Sequence, residues 1–306
     1  MPSPDPKSLQ LFLSVVRHGT IAAAAEAEHI AAAAVSRRLG ELEEQLGTPL
    51  VVRSNKGIEP TPAGRALVTL SHRVLNDLDD IRHQMRDYAA GVKGYVRVFA
   101  NLSAITQFMP AELGAFLDAN PLVRIHLEER LSADIAAAVA ENSADIGILV
   151  LDGQPEGVEI LPYRKDDLSL VVPAGHPLAD RRRASFADTL AFDYIGLKRG
   201  SQLYNQQARA AREAGLPWRC RFEVPSYDAL CLMVQARLGL GILPRRLAQD
   251  YARALDIRAL DLDEDWARRE LHLCLRSYDA LSASARRLVD HMLAGQRGGP
   301  FSGNRP

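Results

Sequence analysis

An α-helical N-terminal third followed by a two-lobed α/β region is the architecture expected of this 306-residue chain. Three features of the sequence lead there. Apolar residues recur at helical spacing through the first 46 residues and then give way to two short β-branched runs. A second apolar series, from Leu67 to Tyr88, keeps unbroken steps of three and four. From Tyr95 onward strand-like and helix-like segments alternate, the order that builds a parallel sheet with right-handed crossovers. The expected divisions are residues 1–61, 62–91 and 92–297, with 298–306 a disordered Gly/Pro/Arg-rich tail. Within the third, lobe I takes about 92–163 and 268–297, and lobe II about 164–267.

Hydrophobic content of 47% and charged content of 25% are those of a globular chain with sizeable cores. Cys220, Cys231 and Cys274 are few and widely spaced, which argues against a disulfide framework and a zinc site. No metal or cofactor is expected. The N-terminus has no basic segment followed by an apolar run, and no stretch approaches the ~20 apolar residues of a membrane span. A cytoplasmic protein without membrane contact is the expectation.

Leu9, Leu11, Phe12, Val15 and Val16 form a first helix that stops at His18-Gly19. Thr20 caps a second, "IAAAAEAEHI", and a third carries the stripe Val35, Leu39, Leu42 and Leu46 before Gly47 ends it. "LVVRSNKGIEPT" then reads as a hairpin. Thr61-Pro62 opens a long helix reaching about Ala90. Its series Leu67, Leu70, Val74, Leu78, Ile81, Met85 and Tyr88 has the 3.5 period of a dimer seam; the alternative is a helix lying on its own domain. Beyond it, "YVRVFA", "VRIHLEE" and "ADIGILV" are strands alternating with the helices "AITQFMPAELGAFLDANP" and "SADIAAAVAENS". A second lobe begins near Arg164, and "ELHLCL" with the last helix returns to the first lobe.

Two helices, a tight turn and a hairpin outline a winged helix-turn-helix, whose later helix enters the major groove. At ~100° per residue, the side of the third helix opposite its apolar stripe begins with Ala33 and Arg37. Ala32, Ala33 and Ser36 are small enough to admit bases closely, Arg37 and Arg38 supply guanidinium groups, and Arg53 and Lys56 sit on the wing. The bland alternative is that alanine merely favours helix and the arginines are a solvated face. Formal net charge is -1, and through Arg65 seven Lys/Arg meet seven Asp/Glu. Affinity for double-stranded DNA therefore has to come from placement.

"LQLFLSVVRHGTIAAAAEAEHI", "AVSRRLGELEEQLGTPLVVR" and "TPAG" resemble the N-terminal pattern of the LysR-type transcriptional regulators nearly end to end. The long seam helix and the α/β region fit that family's remaining architecture. The resemblance implies a two-lobed effector-binding domain like type II periplasmic binding proteins, and transcription regulation controlled by a small inducer. It also implies a homodimer assembling to a homotetramer, with RNA polymerase a further candidate partner. The chain departs from the family at Ala31 and Ala32, which stand where serine and glutamine are usual, and at Glu28 and Val51, usually leucine and phenylalanine.

Ligands of open α/β sheets bind beyond strand C-termini, where helices begin. Ser103, Ser132 and Ser201 lie at such places, with Thr106, Lys198 and Arg199 nearby. Converging hydroxyls, amides and cations suit a carboxylate or other small anion; the alternative is that the serines are only helix caps. An enzyme on this fold is the competing class, but no GxSxG, HExxH, P-loop or strand-linked GxGxxG is present. No catalytic residue is assigned.

Overall fold

The computed structural model describes residues 3–54, 57–89 and 94–295. It divides into two compact units, residues 1–91 with 140–143, and residues 92–139 with 144–306.

In the first unit Asp5 caps α1 (Pro6–His18), accepting the Lys7 amide at 2.9 Å, and Gly19 closes the helix at φ 71°. Thr20 caps α2 (Ile21–Ala27) through the Ala23 amide at 3.1 Å. This helix stops short of the expected Ile30, because His29 turns the chain with a left-handed φ of 56°. α3 (Ala32–Leu46) follows. Phe12, Val15, Ala24, Val35, Leu39, Leu42 and Leu50 share one core, each large side chain contributing about 1.5–3 kcal/mol by leaving water. Leu46, the expected fourth member of the stripe, is 37% exposed, since the helix leaves the core at its last residue.

The wing is β1 (Val51–Ser54) against β2 (Gly57–Pro60), antiparallel, with Ser54 opposite Gly57. Its base is fastened by Glu43 of α3, whose Oε1 accepts the amides of Leu50 at 2.7 Å and Val51 at 3.2 Å. Thr61 caps α4 (Pro62–Ala89), accepting the Gly64 amide at 2.9 Å. A Cβ on Gly64 would stand 2.0 Å from the Leu50 carbonyl oxygen, so only glycine lets the helix approach the wing there. α4 carries two apolar faces. Leu67, Val68 and Leu75 pack on the N-terminal core, with Ser71 buried between them. Leu70, Val74, Ile81 and Met85 are all exposed, and Leu78 is half-buried. Leu67, expected in the seam, packs on the N-terminal core, and the Tyr88 side chain lies outside the described residues.

The second unit contains β3 (Gly94–Ala100), α5 (Leu102–Gln107), α6 (Met109–Ala119), β4 (Val123–Glu129), α7 (Ser132–Ala140), β5 (Ile146–Val150) and β6 (Glu159–Lys165). There follow β7 (Leu168–Pro173), β8 (Arg183–Ala184), α8 (Phe186–Thr189), β9 (Asp193–Leu197), α9 (Gln202–Glu213) and β10 (Arg219–Val224). α10 (Tyr227–Gln235), β11 (Gly241–Pro244), α11 (Arg245–Ala254), β12 (Ile257–Leu262), β13 (Glu270–Leu275) and α12 (Ala283–Ala294) complete it. The helix expected over 104–121 is broken into α5 and α6 at Phe108, because Pro110 supplies no amide and can only stand in a first turn.

Lobe I is a five-stranded sheet, order β4-β3-β5-β13-β6, whose first three strands are parallel and whose central β5 is buried throughout. Lobe II is the sheet β11-β7-β12-β8 with the parallel pair β10-β9 joined at Tyr194 and Leu240. β6 belongs to lobe I, pairing Lys165 with Glu270, so the chain crosses between lobes at Asp166-Asp167 and not at Arg164. It crosses back between Leu262 and Glu270. Each lobe encloses its own apolar core.

Candidate recognition helix and interlobe cleft

α3 begins on Ala31, whose side chain makes no capping bond, so the first amides of the helix are left to solvent. Ala32, Ala33 and Arg37 are exposed and Ser36 is half-buried beside them. Arg37 is 73% exposed and, among the described residues, its ionic partner is Glu41, one turn on, at 3.7 Å. Arg38 differs. Its guanidinium lies 3.3 Å from the Asp5 carboxylate and 3.4 Å from Ser8 Oγ, joining α3 to the start of α1. The Ser8 hydroxyl, the Lys7 and Ser8 amides and Arg38 together hold the Asp5 carboxyl below its ordinary value. Arg38, expected to face DNA, is half-buried here and ties α3 to the start of α1. Arg53 is exposed on β1, and Lys56 lies outside the described residues.

In the second unit a cavity of about 270 Å³ opens between the lobes. Ser103 and Ser132 line it from lobe I, and Ser201 and Lys198 from lobe II. Ser132 Oγ accepts from the Asn101 side chain and the Val150 amide, both at 3.3 Å. Ser201 Oγ caps α9 through the Tyr204 amide at 3.2 Å, so it serves the helix while facing the cavity. Two expected residues are not there. Thr106 is exposed and turns its hydroxyl back onto the Leu102 carbonyl at 2.7 Å, the habit of a hydroxyl within a helix. Arg199 points outward, 74% exposed, and binds Glu223 at 2.6 Å, while its neighbour Lys198 takes the cavity side.

The floor holds groups absent from the sequence reading. Asp166 and Arg269, one on each crossover between the lobes, form a buried ion pair. The Asp166 amide also donates to the Arg269 carbonyl at 2.9 Å. Gln107 Nε2 donates to Asp166 Oδ1 at 2.6 Å. Ser103 Oγ lies 2.9 Å from the Tyr227 hydroxyl and accepts from Arg269 at 3.3 Å. Burial pushes the Asp166 carboxyl up against the pull of Arg269 and Gln107, and pushes the Tyr227 hydroxyl up to about 12. One signal was available: "KDD" and "ARR" place paired charges directly before apolar strands. A second cavity, about 290 Å³ around His176, Phe192 and Arg237, belongs to lobe II alone and lacks this convergence.

The family profile "Bacterial regulatory helix-turn-helix protein, lysR family" matches residues 6–65, and "LysR substrate binding domain" matches residues 89–297. The chain belongs to the LysR family. It is a DNA-binding transcriptional regulator with an effector-binding domain, not an enzyme. Among similar proteins, a RuBisCO operon transcriptional regulator of Acidithiobacillus ferrooxidans is 29% identical over 266 residues, 84% of this chain and 85% of that one. The crystal structure of full-length CbnR complexed with its target DNA has a TM-score of 0.61 at 22% identity, covering 95% of this chain and 99% of that. The regulatory domain of Synechocystis PCC6803 CcmR, solved with 2-PG, has a TM-score of 0.62 at 19% identity over 68% of this chain and all of that one. α3 lies within the residues matched by the helix-turn-helix profile, and the cavity within those matched by the substrate-binding profile. No described helix is long and apolar enough to cross a membrane.

Proposed function

We propose that this LysR regulator reads operator DNA with the exposed start of α3 and is controlled by a small anionic metabolite held between its lobes. Ala32, Ala33 and Ser36 give bases close approach, Arg37 supplies the guanidinium contact, and Arg53 tracks the backbone from the wing. The uncapped amides at the start of α3 favour a phosphate beside them. Leu70, Val74, Ile81 and Met85, an exposed apolar row on one side of α4, form the seam of a homodimer, with Leu78 at its edge. Two such dimers make the working tetramer, which acts in the cytoplasm and engages RNA polymerase from the operator.

The observation that carries the ligand reading is the convergence of Ser103, Ser132 and Ser201 on one cavity with Lys198 at its mouth. Lys198 has no partner among the described residues, so its charge is available to a ligand. The test is recovery of genomic fragments bound by the purified protein, followed by thermal unfolding with the metabolites that the adjoining genes handle. A discrete set of fragments, and stabilisation by an anionic metabolite that Ser132→Ala and Lys198→Ala weaken, is expected. Fragments drawn at random, or stabilisation indifferent to both substitutions, would overturn the reading.

A further inference from the structure

Groups on the cleft floor already bind one another in a way that outlines a ligand. The Arg269 side chain lines the cavity although it is only 6% exposed. Behind, it is held by the Asp166 carboxylate on Nη2 and by the Asp166 carbonyl, 3.4 Å from Nε. In front, Nη1 donates to Gln202 Oε1 at 3.1 Å and Nη2 to Ser103 Oγ at 3.3 Å. Ser103 and Gln202 both line the cavity; Asp166 does not. The two terminal nitrogens of a guanidinium are parallel donors, spaced for the two oxygens of one carboxylate. Here that front edge is met by two neutral acceptors, one from α5 in lobe I and one from the first residue of α9 in lobe II.

We infer that the Nη1–Nη2 edge of Arg269 anchors a carboxylate of the ligand, and that Gln202 Oε1 and Ser103 Oγ are internal stand-ins which that carboxylate displaces. The inference rests on the cleft being the ligand site and names the chemistry of its floor. An ionised, bidentate acceptor adds opposite-charge attraction and matched geometry that two separate neutral oxygens lack, which drives the exchange. Asp166 stays behind Arg269, so a bound carboxylate leaves one net negative charge on the floor, which Lys198 at the mouth offsets. The exchange has a mechanical side. Gln202 begins α9, Ser103 holds the Tyr227 hydroxyl at the start of α10, and Arg269 itself lies on a crossover. Displacing the stand-ins therefore replaces bonds that tie one lobe to the other.

Formate, the smallest carboxylate, is the probe, exchanged for chloride at constant ionic strength while thermal unfolding of the full chain is followed. Formate raises the melting temperature of the wild type by mass action on the folded state. Gln202→Ala removes a competitor, so half-saturation falls by about threefold to tenfold. Arg269→Lys keeps a charge beside Asp166 but loses the fork, and the response disappears. Weaker or unchanged binding in Gln202→Ala overturns the stand-in role, and Gln202 is exposed enough for that variant to fold. Absence of any formate-specific effect in the wild type overturns the anchor. A response lost in Lys198→Ala but kept in Arg269→Lys leaves the cleft as an anion site and removes only the anchor. A response kept in both places formate elsewhere and takes the cleft reading down as well.

Discussion

Arg37 and Arg269 are the same residue type set in opposite environments by the two units. Arg37 stands 73% exposed on α3 with one loose partner, whereas Arg269 is 6% exposed and holds Asp166, Ser103 and Gln202. The first unit displays its working groups: small side chains, an unsealed helix start and a bare apolar row on α4. The second conceals them and satisfies them in advance. A large rigid partner such as duplex DNA needs an unobstructed surface and an unspent charge. A small ligand has to win its contacts from bonds that already exist, which makes binding a change of partners inside the protein.

The widest break in this comparison comes from the displayed apolar row. Replacing Leu70 and Ile81 with lysine removes about 1.5–3 kcal/mol for each side chain that the seam buries, doubled across two chains. Sedimentation is expected to show a monomer that retains native circular dichroism. A variant with the parental mass would assign the row to some other purpose. Concealment is tested next by Asp166→Ala, which strands a buried guanidinium at a cost of about 3–5 kcal/mol in urea unfolding. A loss under 1 kcal/mol would mean that water reaches Arg269 freely and that the floor is open after all.

The smallest effect separates two adjacent arginines. Arg37→Ala weakens operator binding by roughly 1–3 kcal/mol per half-site if the contact is to a base, and leaves stability unchanged. A phosphate contact would instead weaken all sequences alike and lower the salt slope by about one unit. Arg38→Ala has the reverse signature, costing up to about 1 kcal/mol of stability as an exposed pair with Asp5 is lost. Equal effects of the two on titrations against operator and random duplex would erase the distinction drawn between them.

Local patterns carried most of this into the sequence. The caps at Thr20 and Thr61, the stripe Val35-Leu39-Leu42 and the alternation of strands after Tyr95 depend on neighbours a few residues away, and all are present in the fold. Ser103, Ser132 and Ser201 were legible for a related reason, since each follows a strand that ends at the cleft. The misplacements have local causes too. Thr106 found a carbonyl in its own short helix, and Arg199 sits one residue past the position that faces inward. Arg38 was read as DNA-facing because its partner, Asp5, lies a whole helix away in sequence. Arg269 was harder to reach: "ARR" marks charges before a strand, but no period or spacing encodes its meeting with Ser103 across 166 positions.

Glu43 has a consequence for how such a regulator changes its targets. By clasping the amides at the base of the wing from the rear of α3, it fastens the wing without using residues 32, 33 and 37, which are exposed. Mutational drift on that face has little stability to lose, and the alanines there amount to unwritten positions. On the reading proposed above, a lineage carrying this scaffold can exchange one operator for another by single substitutions on that face without losing the fold.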